Sequence, residues 1–201
     1  MVNYHKELKK LVGSLRDRPR ILLHVCCAPC ASSCMEFLTK YFDVTLYFYN
    51  PNMDSEEEYN KRADELIRLI NEMELPSKVK TVIAPYDNEA FEEMAKGLEN
   101  EPERGGRCLK CYELRLRETA RFMESGEYDY FATSLTLSPL KSAEAINTIG
   151  EKIAEATGLK YLPTDFKKDN GYKRSIELSK EHDLYRQDYC GCRFSKTQRG
   201  N

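Results

Sequence analysis

Short apolar runs alternate with amphipathic stretches along the 201-residue chain. Runs rich in β-branched and aromatic residues predict buried strands, because a parallel strand covered on both faces is apolar throughout. Apolar residues spaced three and four positions apart predict helices. The predicted strands are 21–25, 44–49, 81–85, 130–134 and 160–162. The predicted helices lie between them or beside them, near 8–15, 30–42, 55–73, 88–98, 110–124, 142–157 and 175–181.

Three of these helices carry terminal signals. Ser55 and Glu58 have the spacing of a capping box, and Asn88 is a candidate cap for the helix that follows the third strand. Gly158 is placed to end the helix 142–157, since glycine readily adopts the left-handed conformation found there.

The alternation of strands and helices predicts an α/β fold with a doubly wound, mostly parallel sheet. We expect one domain over residues 1–201, with a polar, cysteine-bearing tail from about 184 to 201. Ligands of such sheets bind beyond the carboxyl ends of the strands. The residues expected at that edge are His24, Cys26, Cys27, Asn50, Asn52, Asp87, Thr133, Ser134 and Asp165.

Charge is unevenly distributed in a chain whose formal net charge is −2. Residues 51–103 are strongly acidic, whereas 104–121 and 184–201 are basic. The basic stretches suit a local contact with a polyanion, although a solvated surface explains charge alone equally simply. No apolar run approaches the about 20 residues of a membrane span, and the N-terminus lacks a signal peptide's apolar core. These features predict a cytoplasmic protein with no membrane partner.

Seven of the eight cysteines fall into three short motifs. In a reducing compartment such grouping indicates metal or redox chemistry instead of disulfides. Zinc and iron–sulfur sites both suit these thiols, and spacing alone leaves the two open. Cys34, one turn beyond Cys30, is expected in the core. The predicted metal ligands are Cys26, Cys27, Cys30, Cys108, Cys111, Cys190 and Cys192.

Six segments together resemble the cobalamin-independent epoxyqueuosine reductases, over about residues 21–195. They are LLHVCCAPC, YFYNPNMDSEEEYNKR, GGRCLKCYELRL, TSLTLSPLKS, TDFKKDNGYKRS and LYRQDYCGCRFS. The resemblance implies removal of the epoxide oxygen of epoxyqueuosine in tRNA, with two electrons and loss of water, to give queuosine. It also implies a 4Fe–4S cluster, a neighbouring mononuclear iron and a Rossmann-like, nucleotide-binding fold of the HUP type.

Such a reaction needs a proton donor, a tRNA-binding surface and an electron donor, for which a ferredoxin or flavodoxin would serve. The candidate proton donors are His24, Asp87, Tyr112 and Asp165. A buried histidine is also a common hydrogen-bonded core residue. The candidate tRNA contacts, each with an ion pair or core packing as its alternative, are Arg104, Arg107, Arg115, Arg174, Arg186, Arg193, Tyr49, Tyr172 and Tyr185.

Two other functions compete with this interpretation. A cluster-dependent tRNA thiolation enzyme would need a glycine-rich pyrophosphate loop after the first strand, where this chain has CCAPCASS. A zinc-stabilised RNA-binding module would hold about one zinc ion and catalyse nothing.

Overall fold

The computed structural model describes residues 2–198. Its sheet contains four parallel strands in the order β3-β2-β1-β4. In register, Leu23 of β1 lies opposite Leu46 of β2 and Ala132 of β4. The strands are β1 (Arg20–Val25), β2 (Asp43–Phe48), β3 (Lys80–Ile83) and β4 (Tyr130–Thr133).

Helices cover both faces of this sheet. They are α1 (Tyr4–Ser14), α2 (Ala28–Leu38), α3 (Glu56–Glu72), α4 (Asn88–Ala95), α5 (Gly106–Glu124), α6 (Ala143–Thr157), α7 (Gly171–Glu181) and α8 (Arg193–Gln198), with a 3₁₀ turn over Ser134–Leu137. The predicted α/β class with a parallel sheet is confirmed. The predicted extent of the domain stays a prediction.

The two faces of β1 feed two separate cores. Ile21, Leu23 and Val25 pack among the apolar residues of α1, α2 and α3. Leu22 points the other way and packs with α5 and α6. Each of these side chains is fully buried, which favours folding by about 1.5–3 kcal/mol per side chain.

The predicted fifth strand is reduced to a single bridge. Tyr161 pairs with Phe131 in parallel, but no strand of regular length forms over 160–162. Pro163 follows immediately and has no backbone N–H to extend the ladder. The side chain of Asn147 then binds both backbone groups of Thr164. It donates to the carbonyl at 2.8 Å and accepts from the N–H at 3.1 Å.

The helix-end signals are confirmed in part. Ser55 accepts from the Glu58 N–H at 3.2 Å and begins α3, and Gly158 ends α6 at φ +73°. The Glu58 carboxylate, however, binds Arg62 at 2.6 Å. The cap of α4 is Asp87. The predicted cap, Asn88, instead donates at 2.9 Å to the carbonyls of Pro51 and Met53.

The strand order places a topological switch point between β1 and β4. The chain leaves β1 for β2 and β3 on one side, then crosses to β4 on the other. The connections after β1 and β4 therefore diverge and leave a crevice at their carboxyl ends. Cys26 and Cys27 follow β1 directly, so the first cysteine motif lies at this crevice.

The C-terminal tail is fastened to the loop that follows β2. The Asp54 N–H donates to the Gly191 carbonyl at 2.9 Å, and Asn52 donates to the Cys190 carbonyl at 3.4 Å. Gly191 has φ +113°, and a Cβ there would lie 3.3 Å from the Asn52 amide nitrogen. A glycine between Cys190 and Cys192 therefore lets the tail approach this loop closely.

Gly191→Ala should loosen this attachment. A side chain at this backbone conformation costs about 1–3 kcal/mol. The equilibrium constant for detachment of the tail should therefore rise by about tenfold or more. Hydrogen exchange of the Asp54 amide, measured by NMR, reports that opening. Gly13→Ala is the matched control, because a Cβ there meets nothing within 4 Å. Equal Asp54 protection in both variants would contradict the expectation.

Candidate metal centre

A cavity of about 350 Å³ opens at the switch-point edge of the sheet. Segments from the ends of β1 and β4, the start of α5 and the C-terminal tail form its wall. Cysteines from all three sequence motifs meet there: Cys26, Cys27, Cys30, Cys108 and Cys190. The structure thus brings together residues more than 160 positions apart in the chain.

Three sulfur atoms form a compact group at the start of α2. Those of Cys26, Cys27 and Cys30 all lie within 4.8 Å of one another. Cys27 is the N-cap of α2, and its sulfur accepts from the Cys30 N–H at 3.4 Å. Because a helix N-terminus favours negative charge, this position suits thiolates that bind a metal.

These three thiols share their protons unequally. Hydrogen bonds from Cys27 and Cys30 hold the pKa of Cys26 well below its usual range. The hydrogen bond to Cys26 raises the pKa of Cys27 to about 12, with burial adding to the effect. The pKa of Cys30 is raised for the same reasons. The group therefore favours one thiolate and two thiols until a cation replaces the protons.

The other four grouped cysteines lie in the wall of the same cavity or directly behind it. Cys108 and Cys190 line the cavity, whereas Cys111 and Cys192 lie behind them in a buried cluster with Phe194. Burial raises the pKa of Cys111 to about 12 and that of Cys192 to about 11, with neighbouring thiols contributing. These thiols therefore keep their protons at neutral pH, and a metal that bound them would have to displace those protons.

Cys34 lies apart from these seven cysteines. It is fully buried in the core beneath α2, and its thiol donates to the Cys30 carbonyl at 3.2 Å. Burial raises its pKa well above the usual range. These contacts are those of a small core residue.

Of the four candidate proton donors, Tyr112 lines the cavity. Burial raises its pKa, so its hydroxyl holds its proton at neutral pH. The other three have different surroundings. Asp87 caps α4, and Asp165 pairs with Lys167 at 2.7 Å.

His24 lies fully buried below the cavity. Its Nδ1 is 2.8 Å from the Thr133 hydroxyl, and its Nε2 is 3.0 Å from the Tyr49 carbonyl. Burial and the neighbouring Arg115 lower its pKa to about 3, so the ring is neutral. The roles predicted for these four residues stay predictions.

The candidate tRNA contacts divide in the same way. Those lining the cavity are Arg104, Arg115, Arg186 and Tyr172. Arg107 is buried and donates to the carbonyls of Leu98 and Glu99 at 2.8 and 3.1 Å.

The remaining candidates have partners of their own. Arg174 pairs with Glu36 at 2.9 Å, and Arg193 pairs with Glu92 at 2.8 Å. Tyr49 stacks on Tyr47 with ring centres 6.2 Å apart, and the Tyr185 hydroxyl donates to Glu58. Contact with tRNA stays a prediction for all nine residues.

Two cationic residues of the cavity wall were missed by the sequence analysis. Burial opposes the charged form of Lys141, but the sulfurs of Cys190 and Cys26 outweigh it and raise the pKa. Arg62 is buried, pairs with Glu58 and donates to the Cys190 carbonyl at 3.4 Å. Both lie in the quoted segments TSLTLSPLKS and YFYNPNMDSEEEYNKR, but neither the charge pattern nor the predicted helix face marked them as residues of a cavity wall.

No helix within residues 2–198 combines the length and the apolar content that crossing a bilayer requires.

Comparison with known proteins agrees with this geometry. The family model for epoxyqueuosine reductase QueH matches residues 21–198. A relative of that name from Staphylococcus epidermidis is 43% identical, covering 99% of this chain and 87% of the relative. One from Streptococcus pyogenes serotype M1 is 42% identical, covering 99% and 80%. One from Thermotoga maritima is 33% identical, covering 89% and 91%. The chain therefore belongs to the epoxyqueuosine reductase QueH family.

Proposed function

We propose that this protein removes the epoxide oxygen of epoxyqueuosine in tRNA to give queuosine, without cobalamin. The observation that carries the proposal is the convergence of three cysteine motifs on one cavity in a member of this family. In the reaction, two C–O bonds break and a carbon–carbon double bond forms. Two electrons and two protons enter, and the oxygen leaves as water.

The donor set fits a metal–sulfur centre. Three sulfurs within 4.8 Å of one another match thiolates that hold one cluster, and four more lie across the same cavity and behind its wall. We propose that these seven cysteines hold a 4Fe–4S cluster and a neighbouring mononuclear iron. Together these would supply electrons one at a time and a Lewis acid for the departing oxygen.

The residues of the wall suit the remaining chemistry. Tyr112 lines the cavity, and its hydroxyl holds a proton that it can donate to the departing oxygen. Lys141 places a positive charge on the same cavity, where negative charge develops during reduction. Leu135 and Leu137 provide an apolar part of the wall that limits access of water to the reacting atoms.

Three residues of the wall suit binding of the nucleic acid. Arg104 and Arg186 bring positive charge for phosphates, and Tyr172 offers a ring on which an extruded base can stack. The tRNA-binding roles predicted for the other candidate residues, Arg115 apart, are not supported in the same way by a place in the cavity wall. A reducing cytoplasm would keep the thiols available, and a ferredoxin or flavodoxin would be a suitable source of electrons.

The metal content tests this proposal directly. Protein purified without oxygen should be brown. It should contain more than four iron atoms and about four sulfides per chain, because one 4Fe–4S cluster and one further iron are proposed. Its visible absorption should bleach on reduction. Chemical analysis and an absorption spectrum decide the matter. A colourless protein with one zinc ion and no reductase activity would favour the zinc-stabilised RNA-binding module.

Substitution of single cysteines should separate Cys34 from the other seven. Cys34→Ala removes a small buried side chain, so it should cost about 1 kcal/mol of stability and leave iron content and activity in place. Cys27→Ala, Cys108→Ala and Cys190→Ala should each lose iron or stop conversion of epoxyqueuosine. The measurements are iron per chain and nucleoside analysis of digested tRNA. Loss of iron in Cys34→Ala would refute the separation of Cys34, as a core residue, from the seven proposed metal ligands.

Charge at the cavity should set the salt dependence of tRNA binding. Arg104→Gln and Arg186→Gln should each weaken tRNA binding. Each should also reduce the magnitude of the slope of log affinity against log salt concentration by about 1. Arg117→Gln is the control, since Arg117 is exposed on α5, pairs with Glu113 and does not line the cavity. Equal slopes for all three variants would count against this binding surface.

A further inference from the structure

Arg115 is a buried cation at the centre of the site. Its side chain is 1% exposed, although it reaches the wall of the cavity. Its Nε donates to the Nε2 of His24 at 3.2 Å, and one terminal nitrogen donates to the Asn50 amide oxygen. Its other terminal nitrogen, Nη1, is buried without a hydrogen-bond partner.

This guanidinium lacks a carboxylate to balance its charge. Among residues 2–198 its hydrogen-bonding partners are the neutral side chains of His24 and Asn50, and none of the ion pairs there includes it. Arg62, equally buried in the same wall, pairs with Glu58. Since an unpaired charge inside a protein is strongly unfavourable, Arg115 requires an anion that is not a carboxylate.

The groups around Arg115 show where that anion lies. Arg115 follows Cys111 by four residues and Cys108 by seven on α5, so all three share one helix face. Arg115 lines the same cavity as Cys26 and Cys190, and the thiols of Cys111, Cys26 and Cys190 all raise the pKa of its guanidinium. Arg115 therefore stands between the cysteine group that follows β1 and the group carried by α5 and the tail.

We infer that Arg115 is the counter-charge of the metal–sulfur centre, held between the two cysteine groups so that it stabilises the reduced, more negative state. The inference rests on the proposed function, because the anion in question is the metal-bound sulfur. Asn50 and His24 act as positioning residues, because they bind two nitrogens of the guanidinium and leave Nη1 without a hydrogen-bond partner among the described residues.

The reduction potential distinguishes this role from a merely structural one. Arg115→Gln removes the charge and Arg115→Lys keeps it, whereas Arg117→Gln removes a charge from the exposed side of the same helix. The probe is the protein's own iron–sulfur absorption, followed through an anaerobic redox titration. At a fixed potential, the ratio of reduced to oxidised cluster should be about tenfold lower in Arg115→Gln, which is a shift of the reduction potential of about 59 mV for one electron. Arg115→Lys and Arg117→Gln should stay close to the unsubstituted protein.

Iron and sulfide analysis of the unsubstituted protein is done first, and a failure there refutes the proposed function instead of this inference. If Arg115→Gln assembles no cluster while Arg115→Lys does, the requirement for charge is supported at the stage of assembly. Loss of the cluster in both, an equal shift in both, or an unchanged potential in loaded Arg115→Gln would overturn the inference. An unchanged potential with weakened tRNA binding would assign Arg115 to tRNA.

Discussion

The structure depends on balancing charge in a site that lies largely below the protein surface. Five thiols, those of Cys26, Cys27, Cys30, Cys108 and Cys190, line the cavity at the crevice between β1 and β4, and Cys111 and Cys192 lie buried behind it. In the proposed metal–sulfur centre these thiols would be anionic. Burying such charges is tolerable only if cations and hydrogen-bond donors are already in place. The chain provides Arg62, Arg115 and Lys141 in the wall and the N-terminus of α2 below Cys27.

The same constraint explains how the tail is held. Cys190 and Cys192 belong to a segment with little regular structure before α8, so its own backbone cannot fix their positions. Hydrogen bonds from Asn52 and Asp54 in the loop after β2, and from Arg62 in α3, hold them instead. Asn52 and Asp54 of the NPNMD segment therefore help to fix the position of the tail that carries Cys190 and Cys192.

Most of the fold could be predicted from the apolar pattern, because it reports burial on two faces of a parallel sheet. The pattern failed at 160–162, where the interruption comes from Pro163 and from the hydrogen bonds of Asn147, a long-range effect. The sequence also predicted Asn88, instead of Asp87, as the cap of α4. Adjacent residues that can both cap a helix are equivalent until the loop contacts of Asn88 are known.

The cysteine motifs predicted the position of the site, but the sequence could not distinguish buried cationic side chains from those at the surface. Arg115 and Arg117 lie two residues apart on α5 and look equivalent in a basic stretch. The helix turns one toward Cys111 and the other toward solvent and Glu113. Since Cys108 lines the cavity, Arg115, seven positions later on the same helix face, reaches it too. That position holds a long, permanently charged side chain whose remaining contacts are neutral. An apolar residue would pack there at less cost in a protein without metal, whereas a negatively charged metal–sulfur centre, as proposed above, would give the arginine its counter-charge.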